Sequence, residues 1–486
     1  MQLARRFAAA DDIIGGAIMT IQDQQAKDQS ARPDAEAEFK RRVDAARDVF
    51  TAGRLPEAAQ LFAELAREFP AHPLPHANLG LVLRRLGKSE AAATCYQRAL
   101  ALVPDNPNMM SSLGNALRSL GRLTEAEKLQ ARSVQLAPDD RSLRYNHALT
   151  LRDMRKIHEA LRLLSALHEE QPDNAEVAWD LAITQLQLGD YNKGFQGYES
   201  RWRLPRNETK LRDGLQWTGE NIKGKRILLQ SEQGFGDAIQ FARYVPLLAE
   251  RGARIVMECL PELRTLFAAL PGVEEVITKG SPPPPVDLSV PLLSLPRLFG
   301  TALATIPAQV PYLHAARAMS LPRRPGTILR VGLVWAGKLT PRDRSWPLPI
   351  LAMLLEDPHL SFYSLQTGPR AIELVANGLD HLVLDLAPHL KDFSDTAAVM
   401  NALDLIVTID TAAAHLAGAL GRPTFTLLRY VSDWRWHDYR EDSPWYPTMR
   451  LFRQARPDDF TQPVEHVREA IKRLTGGAAS ASRPKK

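Results

Sequence analysis

The sequence predicts a helical solenoid followed by an α/β region whose two similar halves face a cleft. Three observations predict it. Residues 39–205 repeat with a period of 34. At Arg226 an apolar run, Ile227, Leu228 and Leu229, leads into a small-residue turn with Gly234 and Gly236. Ile239, Phe241, Ala242, Val245 and Leu248 then recur at helical spacing. Strand, glycine turn and helix open a parallel α/β sheet, and such sheets bind ligands at the carboxyl ends of their strands. A second series of strands and helices begins at Thr327 and closes with an amphipathic helix, Val464–Leu474.

Composition narrows the class of protein. Apolar content of 45% and charged content of 24% are ordinary for a globular chain of 486 residues. The net charge of +5 is mild over this length, and the one dense basic block is the tail Arg483–Lys486. This gives little support to a nucleic-acid partner. Cys95 and Cys259 lack partners at metal-ligand spacing and read as thiols of a reducing compartment. No apolar run approaches the roughly 20 residues of a membrane helix. Asp11 and Asp12 interrupt any signal-peptide core, so a cytoplasmic location is expected. Residues 1–38 are polar and aperiodic and are expected to be disordered, with Met19 an alternative start; so is the tail 476–486.

The repeat is carried by several positions. Gly53, Gly87 and Gly121 are spaced by 34, as are Ala58, Ala92, Ala126 and Ala160, and Pro70, Pro104, Pro138 and Pro172. Phe62, Tyr96 and Leu164 share a register in which Gln130 is the exception, and Gly189 and Tyr191 extend the pattern into a fifth, partial copy. Small residues let two helices approach, and proline ends the second. The array resembles the tetratricopeptide repeat, whose stacked helix pairs build a superhelix with a concave groove. Arg155 stands where the turn glycine is expected, so that turn is expected to be tighter or shifted. Asn78, Asn115 and Asn146 are candidates for hydrogen-bonding a peptide in the groove; otherwise they serve the scaffold.

Pro205–Lys225 is an irregular connector, placed at 206–224. The first α/β half is expected over 225–315, with strands at 253–257, 273–278 and 286–291 after the opening one. The second half is expected over 327–475, with strands at 328–335, 361–365, 381–386, 404–409 and 424–428. Helices are expected at 348–355, 369–377, 396–403 and 412–420.

Four patches carry chemistry. Asp237 follows the first glycine turn and reads either as a helix N-cap or as a carboxylate that takes a proton from a hydroxyl. The turn holds neither a third glycine nor a G-K-[ST], so it is no dinucleotide or P-loop fingerprint. At the end of the strand closing at Ile409, Asp410 precedes Thr411, Ala412, Ala413 and Ala414. These small uncharged side chains leave helix N–H groups open to a diphosphate, or else merely pack. Lys338, Arg342 and Arg344 form a basic loop that is either solvated or neutralises phosphate. Between Asp433 and Tyr446 stand Trp434, Trp436, His437, Tyr439, Trp445 and Tyr446, which either stack on sugars and bases or pack as an interface.

Residues 225–475 resemble a GT-B glycosyltransferase, two Rossmann-like halves about a cleft, and most resemble the bacterial ADP-heptose lipopolysaccharide heptosyltransferases. Gly236-Asp237 resembles that family's G-D, which implies Asp237 as general base. Arg344-Ser345-Trp346-Pro347 resembles its basic residue before W-P, and Asp410-Thr411-Ala412-Ala413-Ala414-His415-Leu416-Ala417 resembles D-[ST]-G-x-x-H-x-A at the diphosphate site. Ala412 replaces the usual glycine, and 433–446 is an added segment. Joining repeats to this domain also resembles O-linked N-acetylglucosamine transferase in architecture.

The expected function is transfer of a sugar from a nucleotide-diphosphate sugar to a hydroxyl of a protein or glycan held by the array. Lys338, Arg344, Gln366, Asp410, Thr411, Ala412 and His415 are assigned to the donor. Gln233, Gly234, Gly236, Trp434 and Trp436 are assigned to the acceptor or to sugar stacking. No metal and no cofactor are expected, since no Asp-x-Asp pair stands at a strand end. The alternatives are an inactive repeat adaptor, or a nucleotide-sugar epimerase or hydrolase on the same fold.

Overall fold

The computed structural model describes residues 33–205, 214–339 and 343–481. The chain divides into two compact units. One contains residues 1–185 and 197–208, the other 186–196 and 209–486. Among the described residues no helix is long and apolar enough to cross a membrane.

The first unit is built of antiparallel helix pairs: Pro33–Thr51 with Leu55–Glu68, Pro73–Arg85 with Ser89–Leu102, Pro107–Ser119 with Leu123–Leu136, and Arg141–Asp153 with Ile157–Glu170. Each pair is closed by one residue in the left-handed region: Gly53, Gly87 and Gly121 at φ 76°, 76° and 75°. After Gly87 the Lys88 N–H reaches back to the Leu83 carbonyl, and after Gly121 the Arg122 N–H reaches Leu117. This double closure satisfies the carbonyls left bare at a helix end. Arg155 does the same at φ 64°, with Lys156 N–H on the Leu151 carbonyl. The turn is therefore neither tighter nor shifted; the arginine accepts a conformation that glycine adopts more cheaply.

The 34-residue registers are packing registers. Ala58, Ala92, Ala126 and Ala160 are fully buried. A Cβ on Gly80 would meet the Tyr96 ring at 3.0 Å, and one on Gly114 would meet Gln130 at 2.6 Å. Gln130 is buried like the aromatics it replaces and donates from Nε2 to Asn115 Oδ1 at 3.1 Å. Asn146 Nδ2 likewise donates to Ser111 Oγ at 3.0 Å, and Asn78 is buried too. The expectation that Asn78, Asn115 and Asn146 face a peptide groove is thus corrected: all three lie within the helix packing, where buried amides need internal partners.

The first helix opens at Pro33, inside the stretch expected to be disordered; the rest of that expectation, and Met19, fall outside the described residues. The final helix, Thr461–Ala481, likewise runs beyond the expected limit of 475. It packs on the second sheet, where Val464, Val467, Ala470 and Ile471 join the core of Val331, Leu333, Val407 and Leu427. Its apolar stripe is used by this one sheet.

The second unit holds two parallel sheets. The first has β1 (Arg226–Gln230), β2 (Arg254–Cys259), β3 (Val273–Thr278) and β4 (Leu288–Pro291) in the order β3-β2-β1-β4. The second has β5 (Leu329–Leu333), β6 (Leu360–Ser364), β7 (Val383–Asp385), β8 (Leu405–Ile409), β9 (Thr424–Leu428) and β10 (Met449–Arg453), in the order β10-β9-β8-β5-β6-β7. Counted from its own first strand, the second sheet has the 3-2-1-4-5-6 order of dinucleotide-binding folds. In such sheets the crevice lies where the order reverses, here between β5 and β8. In the first sheet the reversal falls between β1 and β4. β10 was not expected, because Arg450 and Arg453 interrupt its apolar residues; it is an edge strand paired in parallel with β9.

Candidate active site

The site grows from the two reversal points. At the end of β1 the chain turns through Ser231–Gly234, with Gln233 at φ 53°, into the helix Phe235–Phe241. Gly234 is the N-cap, so Asp237 lies three residues inside rather than at the helix start. Its Oδ2 accepts the Gly234 N–H at 3.0 Å and thereby closes the first turn. Its other oxygen accepts from Arg435 Nη2 at 2.6 Å. One oxygen thus closes the helix turn, as the capping reading expects, and the other faces the second half. Buried Glu232 in the same turn accepts the Leu293 N–H beyond β4 at 3.3 Å, tying the two strand ends together.

At the end of β5 the loop through Gly337 and Lys338 is held from below. Gln366 Oε1 accepts the N–H groups of Trp335 and Ala336, at 3.1 and 2.8 Å, and its Nε2 donates to the Thr367 carbonyl. Gln366 was expected to bind donor; buried and committed to backbone, it shapes the loop instead. Gly337 leaves room for Thr411: a Cβ there would meet Thr411 Cγ2 at 3.1 Å. Ser345 Oγ accepts the Gly337 N–H at 3.1 Å. Lys338 is exposed beside this loop, and Arg342 lies outside the described residues.

At the end of β8, Thr411 caps the helix Ala412–Ala419, its hydroxyl accepting the Ala413 N–H at 3.3 Å. Thr411, Ala412 and Ala413 are half-buried, so their backbone remains within reach of solvent. Arg344 Nη1 donates to Asp410 Oδ2 at 3.0 Å. Asp410 is buried and Arg344 is 39% exposed, so the carboxylate is neutralised from above by a cation that still faces water. That arrangement removes the repulsion a bare Asp410 would exert on phosphate.

The two helix starts touch. A Cβ on Gly236 would lie 2.7 Å from His415 Cδ2 and 3.6 Å from the Ala412 Cα. Phe235 meets Phe393 with ring centroids 4.9 Å apart. The Asp237 turn and the Thr411 turn are therefore neighbours.

The segment 433–446 lies against both. Trp434, Trp436, Trp445 and Tyr446 are all buried, while Tyr439 is 62% exposed. Trp436 stacks on His415 at 5.3 Å, and His415 Nδ1 shares a hydrogen bond with the Tyr446 hydroxyl at 2.9 Å. Trp434 and Trp436 were expected to stack on a sugar; their faces are used by protein, which corrects that assignment. Trp434 and Trp445 instead pack with Tyr191 and Phe195. The Tyr191 hydroxyl accepts from Trp445 Nε1 at 3.0 Å and lies 3.0 Å from His437 Nε2. The helix Tyr191–Gly197, read as the start of a fifth repeat copy, thus has its aromatic face in the second unit.

Electrostatics follow from this burial. Removal from water raises the Asp237 carboxyl, opposed by Arg435, by the Gly234 N–H and by Arg344, while Asp433 adds to the rise. Burial first, then Arg435, Arg344 and Arg243, push the His415 imidazole well below its usual range, so it is neutral near pH 7. Arg435 is the functional residue the sequence reading missed. It donates from Nε to Gln240 Oε1 at 2.5 Å and from Nη1 to Asp433 Oδ1 at 2.8 Å, besides its bond to Asp237. One charged residue inside a run of buried aromatics must find charged partners, and that rule would have singled it out.

Comparison with known proteins gives the class. Residues 43–93 and 77–141 match one tetratricopeptide-repeat family and residues 151–194 match another. Residues 365–462 match glycosyltransferase family 9 (heptosyltransferase). The chain thus joins segments that match tetratricopeptide-repeat families to one that matches glycosyltransferase family 9. The matched segment holds Asp410, His415 and Arg435; Asp237 and Arg344 precede it. The chain is similar to Protein FlbA of Caulobacter vibrioides, 28% identical over 312 residues, which are 56% of this chain and 50% of that one. It thus spans half the length of that relative. Solved structures similar to it include MamA of Desulfovibrio magneticus RS-1 (19% identity, 35% of this chain and 97% of that one, TM-score 0.31). Others are PilF of Pseudomonas aeruginosa (19%, 34% and 75%, 0.31) and a thermophilic repeat protein of Thermus thermophilus (18%, 35% and 93%, 0.32).

Proposed function

We propose that the second unit transfers a sugar from a nucleotide-diphosphate sugar to a hydroxyl of a protein or glycan acceptor, and that the repeat array holds that acceptor. The observation that carries this reading is the apposition of Gly236 to Ala412 and His415, which sets a carboxylate turn against an uncharged helix start. In the reaction the acceptor oxygen attacks the anomeric carbon while the bond from that carbon to the diphosphate oxygen breaks. The diphosphate leaves with the bonding electrons, and Asp237 Oδ1 takes the hydroxyl proton.

Each group has a physical task. The N–H groups at Thr411–Ala413 and the helix dipole meet the developing negative charge, and Arg344 and Lys338 add positive charge above it. Ala412 keeps that surface free of side-chain bulk. Neutral His415 supplies a polar wall that competes with no phosphate for the cations. Protein cations and amides thus supply the neutralisation that a divalent ion gives in other transferases, so chelation with EDTA is expected to leave turnover unchanged.

The test is a transfer assay with ADP-, UDP-, GDP- and dTDP-sugars, resolving product sugars by nuclear magnetic resonance. Asp237→Asn is expected to lower turnover by about 10²–10⁴-fold, the usual worth of a general base, with donor binding retained. Unchanged turnover in that variant removes Asp237 from the chemistry. Release of free sugar without transfer, in the presence of candidate acceptors, favours a hydrolase on the same fold.

A further inference from the structure

We propose that Arg435 is the positioning residue for Asp237. It reaches from the second half to hold the carboxylate of the first in one orientation and in its charged form, so that the base is complete only where the halves meet. The inference rests on the transferase reading for its role in chemistry, but its geometry stands apart from it.

The guanidinium is buried, with its side chain 8% exposed. Three of its nitrogens are committed: Nη2 to Asp237, Nε to Gln240 and Nη1 to Asp433. Its plane is further fixed over Trp434, at 4.5 Å, and it stands 5.8 Å from the Phe241 ring centroid. Asp433 caps the turn Trp434–Trp436 by accepting the Arg435 N–H, so the backbone that carries the arginine is held by the acid that its side chain also touches. A planar fork gripped this way fixes direction as well as charge. Gln240 belongs to the same helix as Asp237, one turn on, so two bonds from one guanidinium register the second half on the first.

The charge argument points the same way. Removal from water favours the protonated form of this carboxyl, and a protonated Asp237 takes no proton from an acceptor hydroxyl. The charged groups facing it are Arg435 and Arg344, which favour its ionised form, and Asp433, which opposes it; the Gly234 N–H assists, and His415 beside Gly236 is neutral. Arg435 is the strongest of these, in contact at 2.6 Å, and Asp433 is partly spent on the same guanidinium.

The test is a ¹³C titration of the full chain labelled at aspartate Cγ, with Asp237→Asn assigning the resonance. Arg435→Gln is expected to raise the Asp237 midpoint by about one pH unit or more, since the largest favourable charge is lost. Arg435→Lys, which keeps charge but loses the fork, is expected to raise it less, and it carries the test if the glutamine variant does not fold. A role confined to packing would lower the melting temperature and leave the midpoint where it is. The same midpoint in the wild-type protein and the folded variant overturns the proposal and leaves the transferase reading standing. A raised midpoint in a protein that transfers no sugar supports the clamp and sinks the transferase reading.

Discussion

Single residues in this chain are set by what a Cβ or a charge would meet. Gly236 has no room for a methyl group, because His415 Cδ2 would lie 2.7 Å from it. Gly236→Ala is therefore expected to force the two helix starts apart, destabilising the second unit by about 1–3 kcal/mol and reducing turnover more than nucleotide affinity. Calorimetric melting with a transfer assay checks both; a variant of wild-type stability and rate contradicts the contact. Arg155 poses the opposite case, a side chain held at φ 64° where its counterparts Gly53, Gly87, Gly121 and Gly189 are glycine. Arg155→Gly is expected to stabilise the array by about 1 kcal/mol, read as a higher denaturant midpoint. An unchanged or lower midpoint would mean that the arginine side chain returns more than its backbone costs.

At the scale of elements, the segment 433–446 decides the architecture of the site. Its tryptophans are buried from two sides, by His415 and by Tyr191 and Phe195. Tyr191→Ala would remove a buried ring and strand the Trp445 and His437 nitrogens that it satisfies. The second unit is expected to lose about 3 kcal/mol or more, visible as earlier loss of tryptophan fluorescence on unfolding; an unmoved transition would contradict the contact. This segment also marks the limit of what the sequence conveys. β3 and β9 are read to the residue because each is a run bounded by turn residues, and the repeats are read because spacing is a linear property. Which way a tryptophan faces is not linear. Trp434 and Trp436 look alike to a sugar-stacking pair, yet both are spent on protein neighbours, and Arg435 between them carries the contact that matters. Asn115 misled for the same reason, since its partner Gln130 is visible only once the helices pair. Gln366 is a third instance, its amide claimed by a strand end 30 residues away in sequence.

For the whole molecule, burial of histidines sets the response to acid. His72, His147, His415 and His437 all have imidazoles pushed below their usual range, each chiefly by loss of water. A group whose folded value is depressed binds fewer protons than the unfolded chain, so stability is full above the unfolded value and falls as pH drops below about 6.5. The raised Asp237 carboxyl has the opposite sign, its contribution being lost as pH rises through its folded value. The melting temperature is expected to decline from pH 7 to pH 5, and a flat profile would contradict neutral, buried imidazoles. Two reversal points in two parallel sheets define the candidate site of the second unit, one presenting Asp237 and the other the helix start at Thr411 with Arg344. The most direct test of that form is titration calorimetry of the full chain with ADP, UDP, GDP and dTDP. One of the four is expected to bind, and Arg344→Ala is expected to weaken that binding about tenfold or more, as loss of a charge-assisted phosphate contact should. Binding of none of them, or equal binding by Arg344→Ala, would contradict a donor site at the β5–β8 reversal.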